Sequence, residues 1–217
     1  MSEHEVKRSA LPGSAGEHAL QLELGADKRA RAFYDNQMLD HLNPAMREFI
    51  EKQTLLFIAS ADAHGECDCS FRAGDPGFVK VVNEKHVLWP EYRGNGVTAS
   101  GGNVKENGHL GMLLMDFEHT IGLHINGKAQ LRADGAFDGL PDEVTRFIAA
   151  ENASVGGKKP GFWLLVEVEE AYVHCRKHIP RLTPAGDSIE WGTDDDVKKG
   201  GDYFGARAQK QREREGR

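Results

Sequence analysis

The stretch FIASADAHGECDCSFRAGDPGFVKVVNEKHVLWPEYRGNGVTASGGNVKENGHLGMLLMDF, Phe57 to Phe117, carries the rhythm that decides the fold. It begins inside a short apolar run, Leu55–Ala61, of the length and composition of a buried strand. Cys67–Arg72, Phe78–Val82 and His86–Pro90 follow as further short strands. Turn formers separate them: Asp62–Gly65, then Gly74-Asp75-Pro76-Gly77, then Asn83-Glu84-Lys85. Val97–Asn107 reads as a helix, weakened by Gly101-Gly102, and Leu110–Phe117 reads as a strand.

Downstream, Ile121–Ala133 is a strand in which Ile121, Leu123 and Ile125 alternate with Gly122, His124 and Asn126. Gly127 marks a bulge or a barrel corner. Pro141–Ala150 reads as a helix, and Phe162–Cys175 as a long strand with Phe162, Leu164, Val166 and Val168 on one face. Upstream, Ser14 and Glu17 form an S-x-x-E capping box for a helix reaching about Leu24, with Gly25 as its stop. Asp27 caps a second helix that carries Phe33, Met38 and Leu42 toward a core, and Asn43-Pro44 starts a third that ends near Gln53. Six or seven short strands joined by short hairpins, with few helices, predict a small antiparallel barrel. The organisation is then a disordered lead over 1–13, a helical extension over 14–53, a barrel over 54–182 and a polar C-terminal tail over 183–217. In that tail Arg207–Arg217 is a solvated helix or disorder.

At about 150 residues per domain, 217 residues make one domain with extensions. A net charge of −7 argues against nonspecific binding to nucleic acid or acidic membranes, which need a basic surface. The longest apolar runs fall short of the roughly 20 residues of a membrane span. The charged start, Met1 to Pro12, has no apolar core and reads as no signal peptide. Cys67, Cys69 and Cys175 are too few and odd in number for a disulfide framework, which points to free thiols in a reducing, cytoplasmic compartment.

No G-x-S-x-G, H-E-x-x-H, Walker or G-x-G-x-x-G pattern is present, so no catalytic residue is assigned. The strongest constellation is distributed. If the strands pair in sequence, Arg72, Lys80 and Arg93 converge at one edge. Gly94 and Gly96 let backbone amides approach a ligand, and the start of the next helix adds partial positive charge. A phosphate monoester suits such a site through charge-assisted bonds; three solvated surface cations are the bland alternative. Cys67 and Cys69 share one strand face, and with His174-Cys175 they raise the idea of a metal site. Their spacing is poor for tetrahedral zinc, so small buried or half-buried residues are the better account and no metal is assigned. Trp163 and Trp191 read as packing residues, and His124 as a barrel or interface residue. His174, Lys177, His178 and Arg181 cluster after the last strand, where plain loop charges account for them.

Taken together, Phe57–Phe117 resembles the central motif of the flavin-binding split-barrel family related to pyridoxamine 5'-phosphate oxidase. The ending AYVHCRKHIPRL, Ala171 to Leu182, resembles the terminal strand motif of that family, and the likeness covers roughly residues 43–182. It implies a mainly β protein with a helical extension: an antiparallel split β-barrel, homodimeric, with flavin mononucleotide (FMN) in grooves between two barrels. Leu110–Phe117 and His124 are then candidates for the dimer face. The resemblance implies that Lys80 and Arg93 bind the FMN phosphate and that Arg72 lies near the cofactor. Trp89 and Pro90 match the strand end along the isoalloxazine ring, and Asn95, Ser100 and Asn103 match the polar loop and helix start beside the ribityl phosphate. His174 and Lys177 match the final motif. The Trp-rich and Arg-His-Asp-Arg ending that grips substrate in true pyridoxamine phosphate oxidases is absent after Leu182, which argues against that activity. The expectation is an FMN-dependent oxidoreductase acting on a small molecule. The alternative is a noncatalytic carrier or sensor of flavin, deazaflavin or haem, since related barrels bind each.

Overall fold

The computed structural model describes residues 11–155, 159–186, 193 and 195–216. Most of the expected disordered lead, residues 1–10, and Trp191 lie outside the described residues. Three helices come first: α1 (Ala15–Glu23), α2 (Asp27–Gln37) and α3 (Pro44–Lys52). Ser14 caps α1, its Oγ accepting from the Glu17 amide at 3.1 Å. Asn43 caps α3, its side chain accepting from the Met46 amide at 2.9 Å, and Pro44 opens that helix where no amide hydrogen is needed. Asp27, expected as a cap, is instead the first residue of α2, with Ala26 before it making no side-chain cap. Its charge still sits in the first turn, near the positive end of the helix.

Seven strands then form one antiparallel sheet: β1 (Leu55–Ala61), β2 (Cys67–Ala73), β3 (Lys80–Val81), β4 (His86–Tyr92), β5 (His109–Asp116), β6 (Ile121–Arg132) and β7 (Pro160–His174). Helix α4 (Ala99–Glu106) separates β4 from β5, and α5 (Asp142–Asn152) separates β6 from β7. Helix α6 (Ala206–Glu215) ends the described chain and is exposed along its length. The strand order is β2-β1-β5-β6-β7-β4-β3. No ladder joins β2 to β4 or β3 among the described residues, so the sheet is a barrel split along one seam.

The strand expected over Phe78–Val82 is cut to Lys80–Val81. Gly77 sits at φ +86°, and the Asn83–Lys85 turn closes onto His86, which leaves only two residues in register with β4. Phe78 and Val79 are nonetheless buried in the core. Gly127 does mark a bulge: the β6–β7 register shifts between Asn126 and Gly127. A Cβ at Gly127 would lie 2.0 Å from the Glu167 carbonyl oxygen, so only glycine permits that approach.

Directly opposed residues of antiparallel strands share a face. Leu56, Ile58 and Ser60 of β1 oppose Arg72, Ser70 and Asp68 of β2. Leu56 and Ile58 are buried in the barrel core, so the polar trio of β2 faces inward. The other face carries the row Phe71–Phe57–Leu113–His124–Tyr172 across five strands. Phe33 of α2 covers the Tyr172 end of that row, ring edge to face, at 5.6 Å. A second core lies under α5, where Val144 and Ile148 pack on Leu88, Trp163 and Leu165. No helix among the described residues is long and apolar enough to cross a membrane.

Candidate functional site

The seam between β2 and β4 opens into a cleft of about 450 Å³, within the range typical of small-ligand sites. One wall is the inward face of β2, with Asp68, Ser70 and Arg72. The other is the end of β4, with Pro90, Glu91 and Tyr92, backed by Phe162 of β7. The loop Gly94–Thr98 and the first turn of α4 form the rim.

Arg72 spans the seam. Its Nε–H is shared between the two oxygens of Glu91, at 2.8 and 2.7 Å. Glu91 is buried and also accepts from the Trp89 indole N–H at 2.8 Å. The Arg72 Nη1 donates to Ser70 Oγ at 2.9 Å and to the Phe71 carbonyl at 3.1 Å, and Nη2 donates to Ser100 Oγ at 3.3 Å. Ser100 Oγ lies 3.2 Å from Ser70 Oγ and donates to Asp68 Oδ2 at 2.9 Å. An ion pair and a run of hydroxyls thus close the gap where a strand ladder would otherwise be. Their mutual bonds meet the requirement that buried polar groups be paired.

The rim is built for backbone approach. Gly96 holds φ +85°, a conformation natural to glycine, and a Cβ at Gly94 or Gly96 would meet no protein atom within 4 Å. Asn95 Oδ1 accepts from the Val97 amide at 2.9 Å and folds the loop. Thr98, before α4, is left-handed at φ +53° and makes no side-chain cap. The first-turn amides of α4 have no partner within the helix and no cap from the Thr98 side chain, and Thr98–Gly101 line the cleft.

Of the residues singled out in the sequence, Arg72, Pro90, Asn95 and Ser100 line this cleft. Arg93 is exposed at the foot of the rim loop, one residue before the lining begins again at Gly94. Trp89 is fully buried in the core, and only its indole N–H enters the network. Lys80 lies on β3 with its ammonium 5.5 Å from the Phe147 ring centroid. Asn103, one turn along α4, donates to Ser60 Oγ at 3.1 Å. His174 pairs with His124, Nδ1 to Nε2 at 2.8 Å, and Lys177 stands exposed in the 3-10 turn Arg176–His178. These last four do not line the cleft. The cysteines, expected to be buried or half-buried, are all exposed free thiols: Cys67 and Cys69 lie on the outward face of an edge strand, and Cys175 follows the end of β7. Asp68, Ser70, Glu91 and Phe162 are among the cleft residues that the sequence reading did not assign to the site. The alternation Asp68-Cys69-Ser70-Phe71-Arg72 held the signal for the first two, since it puts Asp68 and Ser70 beside Arg72.

A second hollow, of about 250 Å³, lies across Tyr92 and is lined by Asp75, Phe78, Phe147 and Glu151. The Tyr92 hydroxyl donates to Glu151 at 3.0 Å. Burial first, and the Glu151 charge next, push the Tyr92 pKa far up, so it stays a donor.

Residues 42–175 match the family model described as pyridoxamine 5'-phosphate oxidase, well over half of the chain. The chain belongs to the pyridoxamine 5'-phosphate oxidase family. The matched segment runs from Leu42 through β7 and contains the whole cleft. No curated protein matches the chain. Solved structures similar to it include HupZ from Group A Streptococcus (20% identity, 65% of this chain and 99% of that one, TM-score 0.46). They also include a protein related to general stress protein 26 from Clostridium acetobutylicum (12%, 63% and 89%, TM-score 0.40). A third is HutZ, a heme storage protein from Vibrio cholerae (17%, 61% and 94%, TM-score 0.38).

Proposed function

We propose that the seam cleft holds FMN and that the protein is a flavin-dependent oxidoreductase acting on a small molecule. The observation that carries this reading is the uncapped first turn of α4 beside the Gly94–Gly96 loop, opening on a cleft of nucleotide size in a pyridoxamine 5'-phosphate oxidase family chain. The residues present fit the group. Backbone amides of the rim and the start of α4, with Arg93 beside them, suit a phosphate. Pro90, Phe162 and Val97 give apolar surface for a ring system. Arg72 is not the phosphate anchor in this reading, because its charge is already matched by Glu91. Its part is to hold the two edges of the seam at a fixed separation, so that the cleft keeps its shape. When bound, the flavin supplies the electron chemistry, and the protein supplies position and surroundings.

The test is an absorption spectrum of the purified protein, and of the protein reconstituted separately with FMN, deazaflavin and haem. FMN retained after gel filtration, then bleached anaerobically by a nicotinamide donor, is the expected result. Retention of haem or deazaflavin alone overturns the cofactor assignment. FMN that binds but accepts no electrons from any donor makes the protein a carrier or sensor instead of an enzyme.

A further inference from the structure

The hydrogen bonds in the cleft have a direction. Arg72, which has only donors, gives to Ser70 and Ser100. Ser100, with its oxygen already receiving, gives its hydrogen to Asp68. The run ends there, since an ionised carboxylate only accepts. Among the described residues Ser100 is the sole donor to Asp68, and it meets Oδ2 alone. Glu91, the other carboxylate of the lining, is occupied on both oxygens by Arg72 and Trp89. Of the two carboxylates that line the cleft, Asp68, which is half-buried, is thus the one with an oxygen, Oδ1, that accepts from none of the described residues. With the Arg72 charge matched by Glu91, the inner end is no place for an anion and suits hydroxyl donors.

We propose that Asp68 is a specificity-determining residue that reads the hydroxyl groups of a polyol chain. On a flavin nucleotide that part is the ribityl chain, so the inference rests on the flavin assignment above. Asp68 then selects flavins that carry the chain over the same ring without it. The Ser70–Ser100 pair acts through Asp68 as positioning residues, holding its carboxylate toward the cleft.

The experiment compares riboflavin with lumiflavin, in which a methyl group replaces the ribityl chain, by fluorescence-quenching titration. The proteins are the wild type, Asp68→Ala and Asp68→Asn, each checked for an unchanged unfolding midpoint. In Asp68→Ala riboflavin should weaken about tenfold or more, the loss of a charge-assisted hydrogen bond. Lumiflavin should be unchanged. Asp68→Asn, which keeps an acceptor for Ser100 and the side-chain shape, should fall between. Equal weakening of both ligands makes Asp68 a mere shaper of the cleft and overturns the proposal. So does no change in either, while leaving the flavin assignment standing. A wild type that binds neither ligand overturns the proposal, and one that also fails to retain FMN overturns the flavin assignment as well.

Discussion

At the scale of single residues, the seam rests on one ion pair. The Glu91 side chain is 6% exposed and that of Arg72 20%, so the pair is desolvated and removing one member strands the other. Glu91→Ala should cost about 3–5 kcal/mol of stability, the usual penalty for breaking a buried pair, measured by urea denaturation. Arg93 belongs to the same scale but to binding. Arg93→Ala should weaken FMN roughly 10- to 150-fold, the loss of a hydrogen bond to a charged group, while Lys210→Ala in the exposed α6 leaves it unchanged. Riboflavin, lacking the phosphate, should scarcely notice the Arg93 change. Equal losses for both ligands in a titration would remove Arg93 from the phosphate site. Arg72 and Ser100 are legible in the sequence as polar residues near strand and helix ends. Glu91 is not, because its partner lies 19 positions back on a strand that never pairs with its own. No local period reports a contact across an unpaired seam.

Elements were easier to read than their ends. Strands β1, β2, β4 and β5 follow the apolar runs, since alternation and turn residues are local properties of the chain. β3 is shorter than its apolar composition suggests, because Phe78 and Val79 reach the core without a ladder. The β6–β7 pair holds two tests. Gly127→Ala puts a methyl group into the Glu167 carbonyl and should cost about 3 kcal/mol in a thermal melt. On the outer face, His124 is stacked on Tyr172 at 4.8 Å and bonded to His174. Burial, and then the neighbouring His174, hold the His124 pKa below its ordinary 6.5. The unfolded chain thus takes up a proton more readily than the folded one. The stability tied to the neutral ring is present above the ordinary value and is lost as pH falls through the folded one. Urea midpoints at about pH 7.5 and about pH 5 should show a smaller drop in His124→Gln than in the wild type, by a few tenths of a kcal/mol, since water screens a half-buried ring. An equal drop would place the titration elsewhere.

For the whole molecule, α2 covers the Tyr172 end of the outer row that starts at Phe71. Phe71, at the other, is 59% exposed. A second copy laid over Phe71, Phe57, Leu113 and Met115 would bury that face. We expect a homodimer in sedimentation and a monomer for Phe71→Asp; a wild type that stays monomeric at micromolar concentration with cofactor bound removes this interface. The barrel class is legible from strand number and hairpin length, but the strand order is not. Nothing in the periodicity of β7 says that it lies between β6 and β4. That placement bears on how the chain is made. β7 is the last of the described strands to leave the ribosome, yet it sits inside the sheet, and Val87 of β4 waits for Val166. Until then the nascent chain carries two further open edges, one on β6 and one on β4, each a template for pairing with a neighbour on the same message. A chain stopped before Pro160 should collect in the insoluble fraction, whereas one stopped after Leu182, with all seven described strands in place, should stay in the supernatant.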